Sequence, residues 1–211
     1  MRRPGRGALV GLAVALATPA LAQPANTPLP PQPPAASTAP PPASNGDLAY
    51  GAYERGFYLT AFNEAMKRAQ QNDAAAMTLL GELYAQGLGV GLDDAKAAEW
   101  YKRGAAAGDP NAMFSLAMFN IAKRGGLDDR AAAVKLLNQA AKLGHVLAAY
   151  DLGLLYLQGQ DVPQDFGRAA ALFESAAQAG NPEAQFALAT MYKQGRGVPQ
   201  DLRKAAALLA Q

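Results

Sequence analysis

Small and apolar residues recur along most of the chain with a fixed spacing of 36 residues. The period is marked by a small anchor residue, which stands at Gly81, Ala117, Gly153 and Ala189 without a gap between copies. A leucine directly precedes every anchor, an alanine lies five residues before it, and an aspartate follows twelve residues after it. A period of this length is typical of stacked helical units, each of which buries its apolar face against its neighbours.

Within each unit the pattern predicts two antiparallel helices. The first helix follows a side chain that accepts hydrogen bonds from free backbone N–H groups, and these caps are Asp73, Asp109, His145 and Asn181. The second helix starts at the aspartate twelve residues after the anchor and carries alanines that let helix axes approach closely. A large residue in the second helix is expected in the core; it is Trp100, Leu136, Leu172 or Leu208, depending on the unit.

The turn between the two helices differs from unit to unit. Glycines that adopt positive φ at little cost form it in the first and fourth units, around Gly87 and Gly195. In the second unit Asn120 replaces a tyrosine, and Lys123 stands where the other units have the first turn glycine. The pattern therefore leaves the conformation of the second turn open, and Asp161 also replaces a turn glycine in the third unit.

The repeated motifs resemble the Sel-one-like repeat (SLR) family of the tetratricopeptide-repeat superfamily, as found in exported bacterial members. The motifs are Leu80-Gly81-Glu82-Leu83-Tyr84 with Gly87-Leu88-Gly89-Val90, and Asn181-Pro182-Glu183-Ala184 with Met191-Tyr192 and Gly195-Arg196-Gly197-Val198-Pro199-Gln200-Asp201. The resemblance implies an all-α fold, a right-handed α-solenoid of about five helix hairpins. A leading hairpin is expected in residues 47–73, followed by repeats at 74–109, 110–145, 146–181 and 182–211.

The first 22 residues have the layout of a secretory signal peptide. Arg2, Arg3 and Arg6 precede an uncharged run over 8–17, and a small-residue triplet at 20–22 fits cleavage after Ala22. The apolar run is shorter than the roughly 20 residues of a membrane-spanning helix. We therefore expect a periplasmic or secreted protein without stable membrane insertion after the signal is removed.

Residues 23–46 are expected to form a disordered linker. This segment contains nine prolines and no charged residue, and it has few bulky apolar side chains to offset the entropy of ordering. The composition favours a partly polyproline-II spacer, and a ligand for a proline-binding module is the alternative.

Charge and chemistry narrow the function further. Three of the 19 basic residues but none of the 17 acidic ones lie in residues 1–22, so the rest of the chain carries a formal charge of −1. That charge gives no bulk attraction to nucleic acid. The chain has no cysteine and a single histidine, and it lacks P-loop, Gly-x-Ser-x-Gly, Ser-x-x-Lys and His-Glu-x-x-His motifs. We expect no catalytic residue, no metal site and no cofactor, and we interpret His145 and the pairs Asp93-Asp94 and Asp128-Asp129 as helix caps rather than ligands.

The predicted function is that of a non-enzymatic scaffold or regulator that binds a protein or peptide partner. If the first helices line the concave face, as the resemblance implies, three positions around each anchor point inward. From the second unit onward these partner-binding candidates are Phe114, Met118, Ile121, Tyr150, Leu154, Leu157, Phe186, Thr190 and Lys193. The corresponding positions of the first unit are Thr78, Glu82 and Ala85.

Four further points stay open at this stage. Alternatively, the aromatic residues among the candidates serve only to pack consecutive hairpins against each other. Exported relatives suggest an envelope signalling receptor or the cell-wall machinery as the partner. The alternative function is a cell-wall or β-lactam-interacting enzyme of the same repeat type, although no nucleophile motif supports it. The helix around 202–209 has no following helix, so self-association through this exposed helix, or cover by another chain, is a further expectation.

Overall fold

Residues 48–210, the part of the chain that the computed structural model describes, fold into α-helices without any β-strand. The expected signal peptide, residues 1–22, and the expected linker, residues 23–46, lie outside these residues. The helices are α1 (Leu48–Glu54), α2 (Tyr58–Ala69), α3 (Ala74–Gln86), α4 (Asp94–Ala106), α5 (Pro110–Ile121), α6 (Arg130–Lys142), α7 (Val146–Gln158), α8 (Phe166–Gln178), α9 (Pro182–Gln194) and α10 (Leu202–Leu209). Each helix packs on the next, and α3 also contacts α5. The predicted α-solenoid of helix hairpins is confirmed.

The predicted caps start the helices of the repeats. The side chains that accept a backbone N–H at the first helix of each repeat are Asp73, Asp109, His145 and Asn181. At the second helices they are Asp93, Asp129, Asp165 and Asp201. The cap interpretation is therefore confirmed for His145, Asp93 and Asp129. The other members of the two acidic pairs form ion pairs instead, Asp94 with Arg124 and Asp128 with Lys123. Within residues 48–210, histidine and acidic side chains form no group of three or more that could hold a metal ion.

In the first three repeats the core of the hairpin pairs the anchor with the residue twenty positions later. The pairs are Gly81 with Tyr101, Ala117 with Leu137, and Gly153 with Phe173. A Cβ atom added to Gly153 would lie 2.7 Å from Phe173 Cε1, a distance that real Cβ contacts do not reach. A glycine anchor therefore accommodates an aromatic ring, and an alanine anchor accommodates a leucine, so that the hairpin core is filled without a clash.

The expectation that Trp100 and its counterparts belong to the core is met only at its edge, because these residues pack against the buried clusters but are themselves half-buried. Trp100 is half-buried, with the Arg103 guanidinium 4.3 Å from the centre of its ring. The buried aromatic residue is its neighbour Tyr101, which is only 4% exposed. Consecutive residues of an α-helix are rotated by about 100°, so that only one of two adjacent large side chains faces the first helix directly.

The second turn has the same left-handed geometry as the glycine-rich turns, although a lysine occupies its first position. Lys123 adopts φ 56° and Gly125 φ 61°. A Cβ atom at Gly125 would lie 2.4 Å from the carbonyl oxygen of Asp94, because the turn packs directly against the start of α4. In the other repeats the backbone carbonyl oxygen of the tyrosine accepts the N–H of the capping aspartate. In the second repeat the side-chain oxygen of Asn120 accepts the Asp129 N–H instead, at 3.2 Å.

The third turn contacts the preceding hairpin through an ion pair, whereas the second turn does so through a closely packed glycine. Asp161 occupies the place of Gly125, and its carboxylate binds the Arg130 guanidinium at the start of α6, at 2.8 Å. In the described part of the chain, no helix is both long enough and apolar enough to cross a bilayer.

Candidate functional site

A groove with a volume of about 760 Å³ lies between α1, α3 and α5. Its lining includes the three inward positions of the first unit, Thr78, Glu82 and Ala85, and the three of the second unit, Phe114, Met118 and Ile121. Tyr50 of α1 completes one side. We call this the α3–α5 groove. The structure thus brings six of the candidate positions onto one surface.

The alignment of these side chains follows from the repeat itself. Positions four and then three residues apart lie on one stripe of an α-helix. Because α3 and α5 are copies 36 residues apart and contact each other, their stripes face the same side of the array. The groove is therefore a direct consequence of the period, and the residues that fill each position decide its chemistry.

One end of the groove is rigidly fixed by the caps of the following helices. The Thr78 hydroxyl donates to the buried carboxylate of Asp109, the cap of α5. The Phe114 ring stacks on His145, the cap of α7, with 4.6 Å between ring centres. Burial lowers the pKa of His145, and the nearby carboxylate of Asp109 acts in the opposite direction. The aromatic ring that borders the groove is therefore held by a neutral imidazole.

The wall of the groove carries one carboxylate that is held by hydrogen bonds. The Tyr53 hydroxyl and the Gln86 side-chain amide both donate to Glu82 Oε1, at 2.8 and 2.9 Å. Burial, together with the hydrogen bond to Glu82, raises the pKa of Tyr53 to about 12. Tyr53 therefore stays protonated and keeps donating at neutral pH, so the position of Glu82 is fixed before any ligand binds.

Arg124 closes the other end of the groove. Its Nη2 atom donates to Asp94 Oδ1 at 2.6 Å and to the carbonyl oxygen of Ala85 at 3.1 Å. Its guanidinium also lies 4.4 Å from the centre of the Phe119 ring. The ion pair lowers the pKa of Asp94. Arg124 thereby ties the second turn to the preceding hairpin and leaves no unpaired cation at this end.

The candidates of the third and fourth units do not continue the groove. Tyr150 and Phe186 line a separate, shallow depression of about 350 Å³, and Phe186 is 65% exposed. Leu154 and Leu157 are half-buried and pack against the buried cluster of α7, α8 and α9.

The two polar candidates of the fourth unit play different parts. The Thr190 hydroxyl donates to the Phe186 carbonyl of its own helix at 2.9 Å, and the Lys193 side chain is exposed. The nine candidates are therefore divided among a groove, a depression, a packed cluster and the surface.

Two tyrosines of the groove region are not identified by the sequence pattern. Tyr50 lines the groove and Tyr53 holds Glu82, and both belong to α1, which precedes the repeats. The 36-residue period does not reach them. The only sequence signal for them is the clustering of aromatic residues between 50 and 58.

The last hairpin ends in an exposed apolar surface. A pocket of about 470 Å³ between α8, α9 and α10 is lined in part by Leu188, Tyr192 and Leu208. Leu209, which corresponds to the buried Leu137 and Phe173, is 62% exposed.

Comparison with known proteins identifies the repeat. The Sel1 repeat model matches residues 74–109, 110–145, 146–181 and 182–211. The structure is similar to a Sel1 repeat protein from Oxalobacter formigenes, with 34% identity and a TM-score of 0.71 over 78% of this chain and 51% of that one.

A second similar structure is c5321, a protective antigen present in uropathogenic Escherichia coli strains that displays an SLR fold. It is 26% identical, with a TM-score of 0.69 over 77% of this chain and 37% of that one. The matched region thus spans about half of the first relative and less of the second. No curated protein matches the chain.

Proposed function

This chain belongs to the Sel1 repeat family, and on that premise we propose that it is an exported, non-enzymatic scaffold or regulator that binds a protein or peptide partner. Sel1 repeats generally mediate protein–protein interaction. The observation that carries the proposal is the α3–α5 groove, in which six positions chosen by the repeat alone form one surface of about 760 Å³. We infer that this groove belongs to the concave face of the solenoid.

The chemistry of the groove suits a peptide better than a small reactive substrate. Its side walls are apolar around Phe114, Met118 and Ile121, whereas its charged groups, Glu82 and Arg124, already have partners inside the protein. Preformed apolar walls with few fixed polar groups are typical of surfaces that bind extended or helical segments. An envelope signalling receptor or the cell-wall machinery remains the partner class that the resemblance indicates, and the predicted export signal agrees with it.

The decisive test is site-specific photo-crosslinking in cells. A benzophenone amino acid introduced in place of Met118 should give a partner adduct of one defined mass. The same group in place of Lys102, which is exposed on α4, should not give it.

Phe114→Asp should abolish the adduct because it places a charge at the apolar wall. Phe186→Asp is the matched control, since Phe186 lies outside the groove. Equal adducts at positions 118 and 102, or an adduct insensitive to Phe114→Asp, would refute the groove as the binding site.

The enzymatic alternative requires an activated nucleophile, because a covalent reaction with a β-lactam starts with attack by one. The serine that lines the groove is Ser115, and Tyr101 lines the groove with it, whereas the lining contains neither a lysine nor a histidine. A labelled penicillin tests this alternative directly. A saturable covalent adduct would favour the enzyme over the scaffold.

The exposed surface at α10 is a second candidate interface. Leu202 and Leu209 are each 62% exposed, next to the pocket that Leu208 lines. We propose that this end associates with a second copy of the chain.

A further inference from the structure

The carboxylate of the α3–α5 groove uses only one of its two oxygens inside the protein. Both donors, the Tyr53 hydroxyl and the Gln86 side-chain amide, contact Glu82 Oε1, at 2.8 and 2.9 Å. Within residues 48–210, no group donates to Oε2 and no basic side chain forms an ion pair with Glu82. Each carboxylate oxygen can accept more than one hydrogen bond. Oε2 is therefore left for a donor that enters the groove.

We propose that the peptide bound in the α3–α5 groove carries a lysine, whose ammonium group binds Glu82 and whose aliphatic stem packs against Phe114 and Met118. This inference deepens the proposed function and rests on it, because it names the chemistry of the peptide that the groove takes. Glu82 is then the residue that determines specificity in a groove whose walls are otherwise mainly apolar.

The charge of the groove favours a cationic ligand. Its lining contains two charged residues, Glu82 and Arg124. Arg124 is neutralised by Asp94, at 2.6 Å, whereas the partners of Glu82 are a hydroxyl and an amide, which carry no charge. A carboxylate of a ligand would be repelled by Glu82. An uncharged ligand would remove water from this half-buried carboxylate without replacing it, which is costly. A cation compensates the charge.

The hydrogen bonds of Glu82 also favour lysine over arginine. A guanidinium group binds a carboxylate best through two parallel hydrogen bonds, one to each oxygen. Oε1 already accepts two donors, so the guanidinium fork would find only Oε2 available. An ammonium group is a compact point charge whose donors rotate, and a single oxygen suffices for it. The position of Glu82 thus removes the usual advantage of arginine.

The apolar wall of the groove suits the rest of a lysine side chain. Long basic side chains bury their methylene stem along apolar surface and keep the charged end at a polar group. Phe114 and Met118 are half-buried and line the same groove as Glu82. Stacking on His145 holds the Phe114 ring, as Tyr53 holds Glu82. Groups that are fixed before binding lose less entropy when the ligand arrives.

The test starts with a phage-displayed library of random peptides, selected on immobilised residues 23–211. Binders that also bind the Phe114→Asp variant are discarded, since they do not use the groove. We expect the remaining sequences to be enriched in lysine next to apolar residues. Selection on Glu82→Gln, which keeps an oxygen for the Tyr53 hydroxyl, should lose this enrichment. Glu99→Gln is the matched control, because Glu99 is exposed on α4 outside the groove, and it should retain it.

The affinity of one selected peptide then isolates the contact. The peptide is synthesised with an acetylated N-terminus, so that its only ammonium group is the lysine side chain, and titration calorimetry measures binding. Replacing the lysine by norleucine should weaken binding to the natural sequence about tenfold, the usual effect of a hydrogen bond to a charged group. Glu82→Gln should weaken the lysine peptide similarly but leave the norleucine peptide unchanged. Arginine in place of lysine should bind no more tightly.

Three results would overturn the proposal: groove binders without lysine enrichment, losses that simply add when both changes are combined, or tighter binding of the arginine peptide. The norleucine peptide needs no protein variant, so a folding defect of Glu82→Gln does not affect that comparison. If the crosslink at position 118 requires Phe114 but the groove binders are uncharged or acidic, the proposed function stands and the lysine assignment falls. Absence of both the crosslink and any groove binder would overturn both.

Discussion

At the scale of single residues, His145 connects stability to pH. Its Nδ1 atom accepts the Ala148 N–H at 3.0 Å, and a protonated imidazole has no lone pair left for this bond. Its ring also stacks on Phe114 at the rim of the α3–α5 groove. Burial lowers the pKa of His145 in the folded protein, so folding favours the neutral ring.

The sign of the effect follows from this difference between the two states. Stability from the neutral cap is fully present above the unfolded pKa of about 6.5, and it is lost as the pH falls through the lower folded pKa. We predict that the free energy of unfolding decreases between pH 7 and pH 5 by about 1 kcal/mol from this residue, the usual contribution of a cap. Urea unfolding at the two pH values measures it.

The control is His145→Asn, which keeps a side-chain acceptor at the cap, as Asn181 does at α9, but does not titrate. This variant should lose clearly less stability between pH 7 and pH 5 than the natural sequence. Equal losses would mean that other groups, and not the cap, determine the pH dependence.

At the scale of helices and turns, the backbone of the second turn is strained at Lys123. Lys123 adopts φ 56°, a left-handed conformation that costs a residue with a Cβ atom about 1–2 kcal/mol. Its ion pair with Asp128 is largely exposed on both sides, so it offsets little of that cost. The equivalent positions in the other repeats are glycines, Gly87, Gly159 and Gly195, at φ 66–72°.

We predict that Lys123→Gly raises the free energy of unfolding by about 1 kcal/mol, because glycine adopts this conformation without a steric penalty. Lys123→Ala is the matched control, since it removes the same ion pair but keeps the Cβ atom. Chemical denaturation of the three proteins measures the difference. If alanine stabilises as much as glycine, the side chain and not the backbone conformation is responsible.

Helices and turns also differ in how far the amino-acid sequence alone predicts them. Caps and helix limits depend on local contacts that recur every 36 residues, so the pattern identifies Asp73 and His145 correctly. It places the aromatic core one residue early, at Trp100, because two large residues are adjacent there and the pattern does not say which one faces the anchor. It does not identify Tyr50, which lies outside the period and reaches the groove only through the packing of α1.

At the scale of the whole molecule, the main contacts of each described hairpin are with its neighbours in sequence. Stability in a repeat array of this kind is approximately the sum of terms for single units and for the interfaces between neighbours. The central hairpins, α5–α6 and α7–α8, have a neighbour on each side. The hairpin α9–α10 has a described neighbour on one side only, and α10 contains a single buried residue, Ala205.

We therefore predict a gradient of amide hydrogen exchange along the array, measured by mass spectrometry on residues 23–211 at low protein concentration. Amides of α5–α8 should exchange only through global opening, whereas those of α10 should exchange at least a hundredfold faster through local opening. Leu209→Lys should leave the stability unchanged because this side chain is 62% exposed, while Leu137→Lys should prevent folding because Leu137, its counterpart in the second repeat, is fully buried.

Uniform protection from α5 to α10 at all concentrations would contradict the gradient. Protection of α10 that rises with concentration and disappears in Leu209→Lys would instead show that a second copy covers this end, since mass action stabilises whatever the partner binds.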